Sequence, residues 1–352
     1  MAPYQVLISL VLTTLMLGGV VQAQDRTDTL GIVSKTVETK AMQQKETDTQ
    51  FSDDKKNAIG QAPAPGVEGS IVHYPSFESD LIRPRPVDVW LPKGYDPEAK
   101  DQYPVIYMHD GQMLFNHSLS SFVGMDVFWD VDKAMTRLVN QGEIRPAIVV
   151  AVWMASWDKG ARGAEYMPQK AVTSDVWARM NQDGPGTATG GFAGETGGQT
   201  MSSDNYLKFL VTELKPFIDD NYRTLPDREH TFLMGSSMGG LISAYAISEY
   251  PEVFGAAACL STHWPIGLGA VVEWFDDHWP AAGSHRLYFD YGTETLDARY
   301  EPYQQQMDAV MRKYGYTQDD DWVTLRFEGE DHTPRAWRER LHIPLAFLLG
   351  PR

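Results

Sequence analysis

Gly235-Ser236-Ser237-Met238-Gly239 centres a serine in Gly-x-Ser-x-Gly, with Gly240 next in line. Thr231-Phe232-Leu233-Met234 before it reads as a buried strand. Leu241 to Ile247 after it reads as a helix, stopped at Tyr250 by Pro251. A chain that turns sharply from strand to helix at a serine is a nucleophile elbow, and it presents the Oγ of Ser237 at the top of a sheet. The flanking glycines suit a turn too tight for neighbouring Cβ atoms. The competing reading is a small-residue turn that packs a helix against a sheet. A serine hydroxyl is a weak nucleophile near neutral pH, so it needs a base and a carboxylate to orient that base. His332, in Phe327-Glu328-Gly329-Glu330-Asp331-His332, follows the last strand-like run and is the candidate base. The other histidines read as surface or packing residues. Of these His263 stands out, because it follows the strand after the elbow.

The carboxylate is less sharply specified. Asp290, Glu294 and Asp297 all lie near the end of the strand-like run Arg286–Asp290. Asp290 is still in the strand and suits bracing the turn. Loop reach favours Asp297 as the acid, with Glu294 as the alternative. A tetrahedral intermediate also needs two donors for its oxyanion. The backbone N–H of Met238 is one candidate. The N–H of Gln112, in His109-Asp110-Gly111-Gln112, is the other, with Gly111 letting the main chain approach. A plain strand-to-loop turn is the competing reading of that loop.

Groups so far apart in sequence need a scaffold that gathers them. Val87–Leu91 reads as an early antiparallel strand. Pro104–Met108 and Ala147–Val152 are continuous apolar runs, as central strands buried on both faces should be. Helical spacing covers Val127–Val139 and the set Tyr206, Phe209, Leu210, Leu214, Phe217 and Ile218, where Pro216 should bend or shorten the end. Phe254–Leu260, Arg286–Asp290 and Trp322–Phe327 complete the strands, and an amphipathic helix over Trp337–Leu349 closes the chain. Strands alternating with helices predict an α/β architecture, a mostly parallel sheet covered on both faces, and the serine elbow makes it of the α/β-hydrolase type. In that fold the order along the chain is serine, acid, histidine, as found here.

Four ordered segments carry a resemblance: Tyr103–Gln112, Glu213–Asp219, Gly235–Gly240, and Asp331-His332 with Trp337. Together they resemble the putative-esterase family of α/β-hydrolases, over about Gly69 to Leu349. That family includes siderophore esterases, S-formylglutathione hydrolases, feruloyl esterases and mycolyltransferases. The resemblance implies ester hydrolysis by Ser237 and His332, with the Asp-Gly-Gln loop and Met238 forming the oxyanion hole. It departs at the acid, which relatives often place nearer the glycine than Asp297, and this keeps Glu294 in play.

Two insertions are candidates for specificity. Asp183–Gln199 is rich in glycine and reads either as a lid or as a surface insertion. Thr262–Ala282 carries Trp264, Trp274, Phe275 and Trp279, which either stack on an aromatic acyl group or simply pack. Arg162 and Glu165 are expected to pair near the mouth of the cleft.

Composition sets the outer limits. Met1–Ala23 has no charged side chain and an apolar core too short for a membrane span, so it reads as a signal peptide cleaved after Ala23, directing the chain to a periplasm or the outside. Residues 24–66 are polar and read as a disordered lead-in, closed by the linker Ala62–Gly66. Residues 67–352 form the catalytic domain. Cys259 is the only cysteine, so no intramolecular disulfide can form and packing must hold the core, with 43% hydrophobic residues to do it. A formal net charge of −17 argues against nucleic acid and anionic membranes as partners. No His-Glu-x-x-His, Cys-x-x-Cys or phosphate-binding glycine loop occurs, so neither metal nor cofactor is expected. The resulting expectation is an exported serine carboxylesterase acting on a small-molecule ester. An acyltransferase of the same fold and a non-catalytic binding protein are the alternatives, separated by product analysis with added alcohols and by turnover itself.

Overall fold

The computed structural model describes residues 60–61, 66–116, 127–155, 160–180, 196 and 199–351. The expected signal peptide, most of the expected lead-in, and the glycine-rich insertion apart from Thr196 and Gln199 lie outside the described residues.

Among the described residues, nine strands form one sheet: β1 (Gly60–Gln61), β2 (Ser70–Phe77), β3 (Arg85–Leu91), β4 (Val105–His109), β5 (Ile148–Val152), β6 (Thr231–Ser236), β7 (Ala256–Leu260), β8 (Arg286–Gly292) and β9 (Trp322–Phe327). Their order is β1-β2-β3-β5-β4-β6-β7-β8-β9. From β5 to β9 every pairing is parallel, and β1, β2 and β3 join antiparallel at the other edge. Gly60 and Gln61 pair with His73 and Val72, so the sheet begins before the domain start expected at Val67. Residues β4 to β7 are buried throughout, which explains their unbroken apolar runs: helices cover both faces and no position alternates toward water. One core lies on each face. The first is built around Tyr107, Leu233, Leu241 and Phe289, the second around Ile106, Met234, Trp337 and Leu345.

Several boundaries differ from expectation, each for a local reason. The helix expected from Val127 starts at Val131, after Asp130 in a left-handed conformation (φ 51°). The run leading toward the elbow splits into helix Ser203–Phe209, a π-helical turn Leu210–Leu214, and helix Lys215–Asn221. Pro216 cannot donate to the carbonyl four residues back, and the wider turn precedes it. The closing helix is likewise two, Pro334–Arg340 and His342–Leu349, because Pro344 has no N–H to offer the carbonyl of Arg340. Strand β8 runs on to Gly292, since Tyr291 and Gly292 pair with Arg326 and Phe327 of β9. That extension shortens the loop leading to Asp297.

Because β4 and β6 to β9 are parallel, their carboxyl ends share one edge of the sheet. The loops at that edge hold Asp110–Gln112, Ser237, Ser261–His263, Asp297 and His332, and such an edge is where open α/β sheets build their sites.

Candidate active site

Ser237 caps helix Met238–Glu249 with φ 56° and ψ −121°, a conformation that a residue with a side chain adopts only under strain. The surrounding structure fixes it. The Ser237 N–H donates to Leu260 O at 2.9 Å, and its carbonyl accepts from His263 N at 3.2 Å. A Cβ on Gly235 would lie 2.6 Å from the carbonyl carbon of Gly239, so strand and helix approach too closely there for any side chain. Ser237 is half-buried between the buried Ser236 and Met238. Met238 is the first helical residue, and its N–H is one of those that a helix start leaves without an intrahelical partner.

The loop after β4 is just as constrained. Asp110 is left-handed (φ 56°), and Gly111–Met113 forms a single 3₁₀ turn. A Cβ on Gly111 would lie 2.6 Å from the carbonyl carbon of Ala151 and 2.7 Å from Cδ1 of Trp153. The Gln112 side chain is turned inward, its Oε1 accepting from Met154 N at 3.1 Å. Arg162 holds this loop to the elbow. Its Nε donates to Asp110 Oδ1 at 2.8 Å and its Nη2 to Asp110 Oδ2 at 2.7 Å, with Ser236 O at 3.5 Å from Nη2. The expected pairing of Arg162 with Glu165 is therefore wrong. Glu165 instead takes a bidentate ion pair with Arg85, at 2.8 and 2.6 Å. Arg85 is buried in β3, and a buried guanidinium left without its carboxylate would be strongly destabilising.

Across the site, His332 Nδ1 lies 2.5 Å from Asp297 Oδ1. An ionised carboxylate only accepts, so Nδ1 is the protonated nitrogen, and in the neutral ring Nε2 is left bare. The other oxygen of Asp297 accepts from Ser261 Oγ at 2.6 Å and from Gly292 N at 2.7 Å. Burial alone would raise the Asp297 pKa. The hydrogen bond and charge of His332, then Ser261 and the Gly292 amide, outweigh it and hold the carboxyl below the usual aspartate value. The His332 ring packs edge-on against Trp337 (5.0 Å between ring centres) and Tyr300 (5.7 Å). Glu294 is exposed, and only its backbone N–H is engaged there, donating to Glu330 O at 3.0 Å. The structure thus brings His332 to Asp297 and leaves the Glu294 carboxylate in solvent.

His263 stands beside this group, with Nδ1 2.7 Å from Tyr300 OH. Burial, then the charges of His332 and Arg162, push its pKa down to about 3, which keeps the ring neutral. Asp290 accepts from Ser261 N, Tyr288 OH and Arg340, bracing the strand end. The aromatic residues of the second insertion pack: Trp264, Phe275 and Trp279 are buried, and Trp274 stacks on His278 at 4.1 Å. Ser261, Tyr300 and Arg340 were not singled out by sequence. For Ser261 the available signal was a polar residue directly after a fully apolar strand next to the elbow. Among the described residues, no group of three or more His, Cys, Asp or Glu side chains is arranged to hold a metal, and no helix is long and apolar enough to cross a membrane.

A family model described as Putative esterase matches residues 79–340. The chain belongs to the putative-esterase family. Within that family setting, 200 residues are 26% identical to an endo-1,4-beta-xylanase/feruloyl esterase of Xylanibacter ruminicola, covering 55% of this chain and 22% of that protein. The chain spans between 22% and 59% of the length of the curated relatives it matches. Among solved structures, the ferulic acid complex of a ferulic acid esterase from Anaeromyces mucronatus superposes with a TM-score of 0.54 at 19% identity, covering 81% of this chain and 93% of that one. The enterobactin esterase of Shigella flexneri gives 0.54 at 18% identity, covering 82% and 60%. These likenesses establish the α/β-hydrolase fold for this member of the esterase family.

Proposed function

We propose that the protein is an exported serine carboxylesterase that works through an acyl-enzyme on Ser237. The observation that carries the reading is the His332–Asp297 pair, formed on the same sheet edge as a strained, half-buried serine at a strand-to-helix turn. In the first step His332 Nε2 takes the Ser237 proton while Oγ bonds to the ester carbonyl carbon. The oxyanion receives the backbone N–H groups of Met238 and Gln112. Collapse breaks the bond to the alcohol oxygen, which leaves with the proton from His332. Water then repeats the sequence on the acyl-enzyme and releases the acid. The protein's relatives include a ferulic acid esterase and an enterobactin esterase, which supports an aromatic or catecholate acyl group. The buried insertion tryptophans do not supply a stacking surface for it, so that preference rests on the relatives alone. Export rests on the charge-free apolar leader Met1–Ala23.

The test is a fluorophosphonate probe on the exported protein, followed by intact mass, peptide mapping and an ester panel. We expect a mature chain starting at Gln24, label on Ser237 alone, and hydrolysis of p-nitrophenyl butyrate, with methyl ferulate or a catecholate ester turned over more efficiently. Label on Ser236, or none on folded protein, would overturn the mechanism. Ester products formed with added alcohols in preference to free acid would make it an acyltransferase.

A further inference from the structure

We propose that Ser261 is a positioning residue: its hydroxyl, with its proton direction dictated by Trp337 and Arg340, holds Asp297 with one oxygen reserved for His332. This deepens the triad reading and rests on it. Ser261 follows β7, is fully buried, and has φ 40°. Its N–H is spent on Asp290, 2.9 Å from the carbonyl and 3.0 Å from Oδ1. Its Oγ has three polar neighbours: Trp337 Nε1 at 3.0 Å, Arg340 Nη2 at 2.9 Å and Asp297 Oδ2 at 2.6 Å.

The chemistry of those neighbours leaves one arrangement. An indole N–H and a guanidinium can only donate, so they occupy the two lone pairs of the hydroxyl. Its single proton must then go to Asp297 Oδ2, which also accepts from the Gly292 amide. Oδ1 alone remains for the Nδ1–H of His332. Arg340 cannot turn away, because Nε and Nη2 both bind the buried Asp290 carboxylate, at 3.1 and 3.0 Å. A left-handed conformation favours glycine, yet a hydroxyl-bearing residue occupies it. Strain retained at such a point, with every polar atom of the side chain engaged, indicates that the hydroxyl is what the position requires.

The full-length protein with p-nitrophenyl butyrate tests this. Ser261→Ala removes the hydroxyl and keeps the backbone strain, whereas Ser261→Gly removes both. We expect both variants to lose about ten- to a hundredfold in kcat, the range for a hydrogen bond to a charged group, with KM changed by less than about twofold. The glycine variant should melt no lower than the alanine variant and still be no more active. In an Asp297→Asn background, Ser261→Ala should cost less than about twofold more, because it acts through Asp297. Three outcomes overturn the proposal: both variants near wild-type activity, activity that recovers with stability in Ser261→Gly, or an equal further loss in the Asp297→Asn background. If Ser261→Ala fails to fold, Ser261→Gly carries the same comparison, both alone and in the Asp297→Asn background. Asp297→Asn retaining full activity would bring down the triad reading itself, and this proposal with it. Loss in Asp297→Asn alongside intact Ser261 variants overturns only the role of Ser261.

Discussion

On the β4 and β6 side of the site backbone sterics fix the turns, and the Arg162–Asp110 pair ties the loop to the elbow. Asp110 and Ser237 share φ 56°, and Gly111 and Gly235 leave out the Cβ atoms that would collide with neighbouring backbone. On the β8 and β9 side, side chains set it: Asp297, His332, Ser261, Trp337 and Arg340 form one connected hydrogen-bond network. The turns of the first side gain their rigidity mainly from steric exclusion, which is indifferent to pH and hard to compensate. The second gains it from satisfied donors and acceptors in a buried setting, where each polar group depends on the next. The two sides should therefore fail differently when disturbed.

The largest effect is expected on the side-chain half. Asp297→Asn replaces the acceptor that fixes the His332 tautomer, and we expect kcat to fall about 10⁴-fold with the fold intact. Glu294→Gln should leave kcat within about twofold, since its carboxylate is exposed and bonded to nothing in the site. Steady-state kinetics on one ester decide it. If Glu294→Gln were the inactive variant, the acid assignment would pass to Glu294 and the network would be structural only.

How much of this was legible in the sequence follows the same division. Steric requirements leave glycines behind, so the elbow and the Asp-Gly-Gln loop could be placed from residues alone. His332 was legible through its order along the chain. Between Asp297 and Glu294, loop reach gave only a weak preference for Asp297, because the choice depends on how far β8 runs: pairing of Tyr291 and Gly292 with β9 sets where the loop begins. The partner of Arg162 was missed because Glu165 lies close by in sequence, whereas the buried Arg85 of a distant strand claims that carboxylate. Ser261 and Arg340 were missed for a related reason, since their contacts join β7, β8 and the closing helices across 79 residues. Sequence shows local steric demands well and long-range polar partnerships poorly.

A smaller but still large effect is expected on the main-chain half. Gly111→Ala places a Cβ 2.6 Å from the Ala151 carbonyl carbon and 2.8 Å from its oxygen. That backbone belongs to the central strand β5 and cannot move aside cheaply. The loop should shift instead, at a cost of about 1–3 kcal/mol in stability from overpacking. Displacing the Gln112 N–H from the proposed oxyanion hole should lower kcat about 10²- to 10³-fold. The loss should be the same at every pH, because no titrating group is removed. Wild-type kcat in a folded Gly111→Ala protein would mean that this loop is a turn and no more.

The smallest effect is thermodynamic and separates the two halves by pH. The folded-state pKa of Asp297 lies below the ordinary aspartate value. A depressed carboxyl pKa contributes stability that is fully present above the unfolded value, about pH 4, and is lost as pH falls through the folded value. Asp297→Asn should therefore be less stable than wild type at pH 5 to 6, by about 1–3 kcal/mol, the scale of hydrogen bonds to a buried charge. The gap should narrow as the pH is taken below 4, where wild-type Asp297 begins to protonate and loses the same contribution. Gly111→Ala should show a stability gap that stays constant over that range, because steric overlap does not titrate. Urea denaturation of the three proteins from pH 6 to 3 reads both curves. A constant gap for Asp297→Asn would mean that the carboxylate is held by shape and not by charge, and the contrast between the two halves of the site would collapse.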